Sequence, residues 1–194
     1  VWFELAKKTL ESQQKNIILS PSNSKKDIPG EQMLINAGWN LACSLLKKGD
    51  MQTGWKLYNY GLHTPAPGLQ RWQRAFHKPF SIDEVPVWNG EKLKDKSILV
   101  LGEQAVGDSM MFLQLLPVIH KECKNVSIAI PERLCPIYER TYPDIKVYND
   151  ERPDLLPSSN HFDFQIPSGS LPYLRLQQWF SRENWLQQKL KPNP

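Results

Sequence analysis

Two hydrophobic rhythms divide this chain. In its first third, apolar residues recur every three or four positions, the spacing of one helix face. Trp2, Leu5, Ala6 and Leu10 predict a helix over residues 1 to about 16. A breaker-rich loop follows from Ser20 to Gly30. Leu34, Ile35, Trp39, Leu41, Ala42, Leu45 and Leu46 then predict a second helix, and Trp55, Leu57, Tyr58 and Leu62 a third. Gly49-Asp50 separates these two, so they are expected to fold back on each other as a helical hairpin.

Beyond residue 96 the rhythm changes to short apolar runs alternating with periodic stretches. Strands are predicted at Ser97–Leu101, Val126–Ile130, Ile145–Tyr148 and Phe162–Ile166. Helices are predicted from Asp108 to Lys121, from Pro131 to about Thr141, and from Ser181 to Leu190. Strand and helix in alternation give an α/β class with a Rossmann-like parallel sheet and right-handed crossovers. Between the two regions, His63-Thr-Pro-Ala-Pro-Gly68 ends the helices and Arg71–Phe76 can form a short turn. Val85 and Trp88 are expected to anchor this connector to the sheet domain. The organisation is therefore a helical region at 1–62, a connector at 63–96, an α/β half at 97–172, and a C-terminal helix and linker at 173–194.

Leu41-Ala42 and Leu45 on the first hairpin helix, Gly49 in the turn, and Gly54 and Tyr58 on the second resemble a tetratricopeptide repeat. That repeat normally has alanine where Gly54 stands. One repeat cannot bury its own face, so neighbours or a following domain must cover it, and such a hairpin can recruit a protein partner. Val1 in place of a starting Met and the closing Lys-Pro-Asn-Pro predict ends cut from a longer protein.

Composition narrows the classes. A hydrophobic fraction of 40% in 194 residues supports a packed core. The net charge of +4 is spread along the chain without a like-charge block, which argues against nucleic acid as a partner. No apolar run reaches the length of a membrane span and no signal peptide is visible. Cys43, Cys123 and Cys135 are odd in number and lack C-x-x-C spacing, which argues against a disulfide framework or zinc site and for a cytoplasmic setting. The four histidines lack metal-ligand spacing.

The stretch Ser97–Pro117 holds the candidate chemistry. Strand, polar turn and helix start together present backbone N–H groups and an acidic side chain to a ligand. Asp108 can serve as a capping acid that complements the helix dipole, or as a general base for a hydroxyl nucleophile. Glu103 and Gln104 are either solvent-facing loop residues or substrate contacts. Gly107 allows close backbone approach or a left-handed turn. Gly102 and Gly107 fit neither a dinucleotide fingerprint nor a P-loop, since Asp-Ser follows Gly107. Met110, Met111 and Phe112 read as core contacts, and no serine sits in G-x-S-x-G.

Glu103-Gln104-Ala105-Val106-Gly107-Asp108, followed by Phe112 and Leu116-Pro117, is similar to the E-Q-G-L-G-D…F…P signature of bacterial tetratricopeptide-repeat glycosyltransferases. Those enzymes resemble glycosyltransferase family 9, the heptosyltransferases, and more distantly O-GlcNAc transferase. The likeness includes Pro86–Glu91 before the first strand and Phe162, Asp163 and Ser170–Pro172 around the fourth, and covers Glu31 to Pro172. It implies the N-terminal, acceptor-side half of a GT-B fold, with Asp108 as the general base of an inverting transfer. Glu103, Gln104, Gly107 and Ser170 would bind the acceptor, which is a glycan, lipid or protein hydroxyl. A nucleotide-sugar would be the donor substrate, held by a second half expected after Pro194, and no metal or cofactor would be needed. Ala105 replaces the family's glycine, and Gln114 replaces the arginine that makes a charged acceptor contact. The competing expectations are a non-catalytic scaffold, in which the α/β unit is degenerate, and a small nucleotide-binding module.

Overall fold

A computed structural model describes residues 31–62, 74, 79–103 and 105–180, with the side chains of 31–34 excepted. The expected helices at 1–16 and 181–190 and the turn at 71–76 lie outside the described residues, Arg74 alone excepted. The chain divides into two compact units, Val1–Ala75 and Phe76–Pro194.

In the first unit, helix α1 (Glu31–Lys48) and helix α2 (Met51–Tyr58) pack on each other. Gly49, at φ +93°, supplies the left-handed turn between them. Asp50 then caps α2, its carboxylate accepting from the Thr53 N–H at 3.2 Å. Trp39 meets Tyr58 at 4.8 Å between ring centroids, while Leu46 meets Gly54 nearer the turn. These pairings make the hairpin antiparallel, as the sequence rhythm predicts. The third expected helix stops at Tyr58, and residues Asn59–Leu62 tighten into a 3-10 turn. There Arg74 closes the unit, with its backbone N–H on the Gly61 carbonyl and its guanidinium on Asn59.

Gly54 is closely fitted against the first helix. A Cβ at this position would lie 2.7 Å from the Leu46 side chain and 3.1 Å from the Leu46 backbone nitrogen. Gly54→Ala gains about 1 kcal/mol of helix propensity, but overpacking of this kind costs about 1–3 kcal/mol. The expected result is a net loss of about 1 kcal/mol in urea unfolding. A stabilised variant would mean that the helices separate more easily than this contact implies.

The second unit is built on a four-stranded, all-parallel sheet in the order β3-β2-β1-β4. The strands are β1 (Ser97–Leu101), β2 (Asn125–Ile130), β3 (Lys146–Asn149) and β4 (Phe164–Pro167). Residues 98–101 are at most 2% exposed, which is why β1 reads as a continuous apolar run: a central parallel strand is covered on both faces. Leu99 and Leu101 face a cluster with Val85, Ala129 and Phe162, and Phe80, Tyr148 and Leu156 pack against it.

Two expected helices are each broken by proline. The first begins at Val106, two residues earlier than predicted. It runs as α3 (Val106–Phe112), a 3-10 turn and α4 (Leu116–Glu122). Pro117 has no N–H to give the Leu113 carbonyl, so the turn before it tightens. The second starts as a 3-10 turn at Glu132–Leu134 and becomes α5 (Cys135–Thr141), with Pro136 in its first turn. After β4 come a 3-10 turn (Ser168–Ser170), α6 (Leu171–Leu174) and α7 (Leu176–Trp179).

The described later part of the connector, residues 79–96, belongs to the sheet unit. Val85 is fully buried and Trp88 is 1% exposed, as their anchoring role requires. Val87 bridges in parallel to Gln165, extending the β4 edge by one rung. Arg175 joins Glu122 through two nitrogens and lies 4.6 Å over the Trp88 ring.

Asp163 ties β4 to β1. Its two oxygens accept from the Lys96 ammonium and the Ser97 N–H, each at 2.8 Å. These bonds, Lys96 first, hold its carboxyl below the usual range. A carboxyl with a depressed folded pKa adds stability above its unfolded value, near 3.9, and loses it as pH falls through the folded value. Asp163→Asn should therefore be less stable than the parent at pH 6, with the gap closing as the medium is acidified below about pH 4. A gap independent of pH, measured by urea midpoints, would show that ionisation of Asp163 contributes nothing.

Among the described residues, no helix is long and apolar enough to cross a membrane. The three cysteines are free thiols.

Candidate functional site

The strand order places a reversal beside β1. From β1 the chain steps through β2 to β3 in one direction, then returns to lay β4 on the other side of β1. Loops leaving the carboxyl ends of two such strands diverge, and the crevice between them is where ligands bind in open α/β sheets. Here those two ends are Gly102–Asp108 and Ser168–Ser170. Leu101 pairs with Pro167, so Gly102 and Ser168 follow each other's strand ends directly.

Glu103 sits at this junction and is 2% exposed, so it is not the solvent-facing loop residue that one expectation allowed. Its carbonyl accepts from the buried Ser109 hydroxyl at 3.2 Å, which ties the strand end to α3. Gly102 is tightly enclosed: an added Cβ would lie 3.2 Å from the Ala129 carbonyl, the Ile130 side chain and the Ser109 hydroxyl. The glycine therefore lets α3 close onto the strand end.

Asp108 is at the third position of α3, not at its start, because the helix begins at Val106. One carboxylate oxygen, Oδ2, accepts from the Ala105 N–H at 3.3 Å. This is half of a capping box. Ala105 has no side-chain oxygen to reciprocate, so the capping role expected of Asp108 is present in reduced form. The side chain is half-buried.

Gly107 is exposed and an added Cβ would meet nothing within 4 Å. Its φ is not positive, so the left-handed turn considered for it does not occur. What remains is a side-chain-free position beside Asp108 with open space before it. Gln104 lies outside the described residues. Ser170 is 6% exposed and stands at the N-cap of α6.

The structure thus gathers Glu103, Gly107, Asp108 and Ser170 at the carboxyl edges of two adjacent strands, with α3 packed on the 168–170 turn. It also brings in Ser168, which the sequence places in the turn at this edge without marking it as a candidate contact. Its side chain is wholly buried and its hydroxyl makes no hydrogen bond. The signal was the strand end: β4 runs to Pro167, one residue further than the apolar run indicates. Gln114, at the position of the resemblance's arginine, has a buried Oε1 that likewise makes no hydrogen bond.

The arrangement suits binding and proton transfer at a hydroxyl: a half-buried carboxylate, an open glycine beside it, and buried polar groups behind. Among the described residues no cluster of three or more His, Cys, Asp or Glu is placed to hold a metal ion.

The chain is 33% identical over 109 residues to Protein FlbA of Caulobacter vibrioides, covering 55% of this chain and 17% of that protein. It thus spans less than a fifth of the length of that relative. No family model matches the chain, and no solved structure matches it.

Proposed function

We propose that this chain is the acceptor-side part of an inverting glycosyltransferase. In this reading Asp108 takes the proton from an acceptor hydroxyl as the hydroxyl attacks the anomeric carbon of a nucleotide-sugar. The observation that supports it is the gathering of Glu103, Gly107, Asp108 and Ser170 at the strand-order reversal of a parallel sheet. Ligands of such sheets sit there. The residues that gather are those of the E-Q-…-G-D and S-L-P stretches on which the glycosyltransferase resemblance rests. The antiparallel hairpin at 31–58 adds support, since a tetratricopeptide-like hairpin is the expected companion of this half and offers a surface to a protein partner.

A GT-B enzyme holds its donor with a second half, which this reading sets beyond Pro194. The nucleotide-sugar would bind there through positive groups and helix N-termini, so the acceptor-side part on its own should transfer no sugar.

The test is Asp108→Asn in a polypeptide that carries both halves. Loss of a general base lowers turnover by about a hundredfold or more. The amide still accepts from the Ala105 N–H, so helix content by circular dichroism should be unchanged. The second reading, a non-catalytic scaffold, draws on that same Ala105 bond, which gives Asp108 a structural task. It predicts that turnover, where there is any, is indifferent to Asp108→Asn.

A further inference from the structure

Ser109 is an unusual occupant of its position. It is wholly buried on α3, where an apolar residue would ordinarily sit, and serine is a poorer helix former than alanine. A serine within a helix commonly returns its hydroxyl to a carbonyl one turn back. Here that carbonyl, of Ala105, takes the Ser109 backbone N–H at 3.0 Å. The hydroxyl reaches past it to the Glu103 carbonyl, six residues back and outside the helix, at 3.2 Å. The bond therefore holds the loop, not the helix.

The same loop holds a carboxylate. Ala105 is fixed at its carbonyl by the Ser109 N–H, and its own N–H donates to Asp108 Oδ2 at 3.3 Å. Upstream, the Gly102 N–H is fixed on the Ala129 carbonyl at 2.7 Å. The route from the sheet to Asp108 thus runs through Gly102, Glu103 and Ala105, and the Ser109 hydroxyl secures its middle. Gly102 leaves room for that hydroxyl, since a Cβ there would lie 3.2 Å from it. Asp108 Oδ2 is committed to the loop, while Oδ1 has no partner among the described residues.

We propose that Ser109 is the positioning residue of this edge. By fixing residues 103–105 on α3, its hydroxyl sets the orientation of the Asp108 carboxylate towards an acceptor hydroxyl. The inference rests on reading Asp108 as the general base, and it adds what aims that base. Orientation enters turnover more than binding, because a misplaced base slows proton transfer without changing the acceptor's other contacts.

The test pairs Ser109→Ala with Ile119→Val. Ile119 is wholly buried on α4, so its truncation lowers stability without touching the loop. Solvent exchange of the Ala105 and Ser109 amides, followed by NMR on the isotope-labelled chain, is read against the amides of β1. Ser109→Ala is expected to speed these two amides at least about tenfold relative to β1. Ile119→Val should move neither of them selectively. In a polypeptide that carries both halves, Ser109→Ala should lower kcat by about tenfold or more and change KM by less than about twofold. Unchanged relative exchange overturns the inference, as does a kcat no lower than that of Ile119→Val, or a loss confined to KM. The two readings fail separately. If Asp108→Asn abolishes turnover while Ser109→Ala leaves exchange unchanged, the base stands and the positioning role falls. If Asp108→Asn leaves turnover intact, the base reading falls, and exchange alone decides whether Ser109 orders the edge.

Discussion

Replacing Trp88 with alanine is expected to remove about 3–5 kcal/mol of stability from the sheet unit. The residue lies in the connector, where a loop tryptophan would ordinarily tolerate truncation. Here its ring is 1% exposed, its indole N–H donates to the Glu91 carbonyl at 2.9 Å, and the Arg175 guanidinium covers one face. Its backbone N–H also donates to the Gln165 carbonyl at 2.9 Å, beside the Val87 bridge. Truncation thus opens a large cavity, leaves the Glu91 carbonyl without its donor and strips Arg175 of its ring. Since whole domains are stable by only about 5–15 kcal/mol, the variant should be substantially unfolded in mild urea. Trp88→Phe keeps the ring face but not the N–H, and should lose about 1–1.5 kcal/mol. Circular dichroism in urea distinguishes these outcomes. A loss below about 1 kcal/mol for Trp88→Ala would mean that the connector is not part of the folding unit.

The prominence of Trp88 was legible in the sequence, and so was most of what positions the site. Ile98–Leu101 is apolar throughout, and Val126–Ile130 is interrupted only by the buried Ser127, because both faces are covered. The hairpin was legible because Gly49-Asp50 combines a left-handed turn with a cap. Three things were not. The helix breaks at Leu113–Leu115 and Glu132–Leu134 depend on which carbonyl loses its partner to proline, and hydrophobic spacing does not record that. The order β3-β2-β1-β4 depends on where a crossover lands, so the adjacency of the β1 and β4 ends that brings Asp108 towards Ser170 could only be assumed from the alternation. Ser168 escaped because Phe162 looks like the start of a strand. It is buried in the core, but the ladder with β1 begins at Phe164 and therefore ends later.

Gln165 is the clearest case of a residue whose sequence context conceals its role, and it carries the other large expected effect. A polar residue within Phe-Gln-Ile-Pro reads as ordinary strand alternation. It is 4% exposed, and its Nε2 lies within hydrogen-bonding reach of three carbonyls: Val85 at 2.7 Å, Phe80 at 3.2 Å and Ser81 at 3.3 Å. One amide group therefore gathers residues 80–85 of the connector and holds them against the sheet. Gln165→Glu keeps the shape and replaces the donor with an acceptor. The carboxylate would face three carbonyl dipoles in a dry setting, and the expected loss is about 3 kcal/mol or more at neutral pH. The sign of its pH dependence follows. Burial against carbonyls raises the new carboxyl's pKa in the folded state above its unfolded value of about 4.3. The protonated form can donate to the Val85 carbonyl, so the variant should approach the parent below about pH 4 and fall away as pH rises towards neutrality. Gln165→Leu, which neither donates nor ionises, should be destabilised by a similar amount with no such trend. Urea midpoints of both variants across that range decide the matter. A Gln165→Glu deficit that does not grow with pH would show that the connector carbonyls are satisfied by water, not by this side chain.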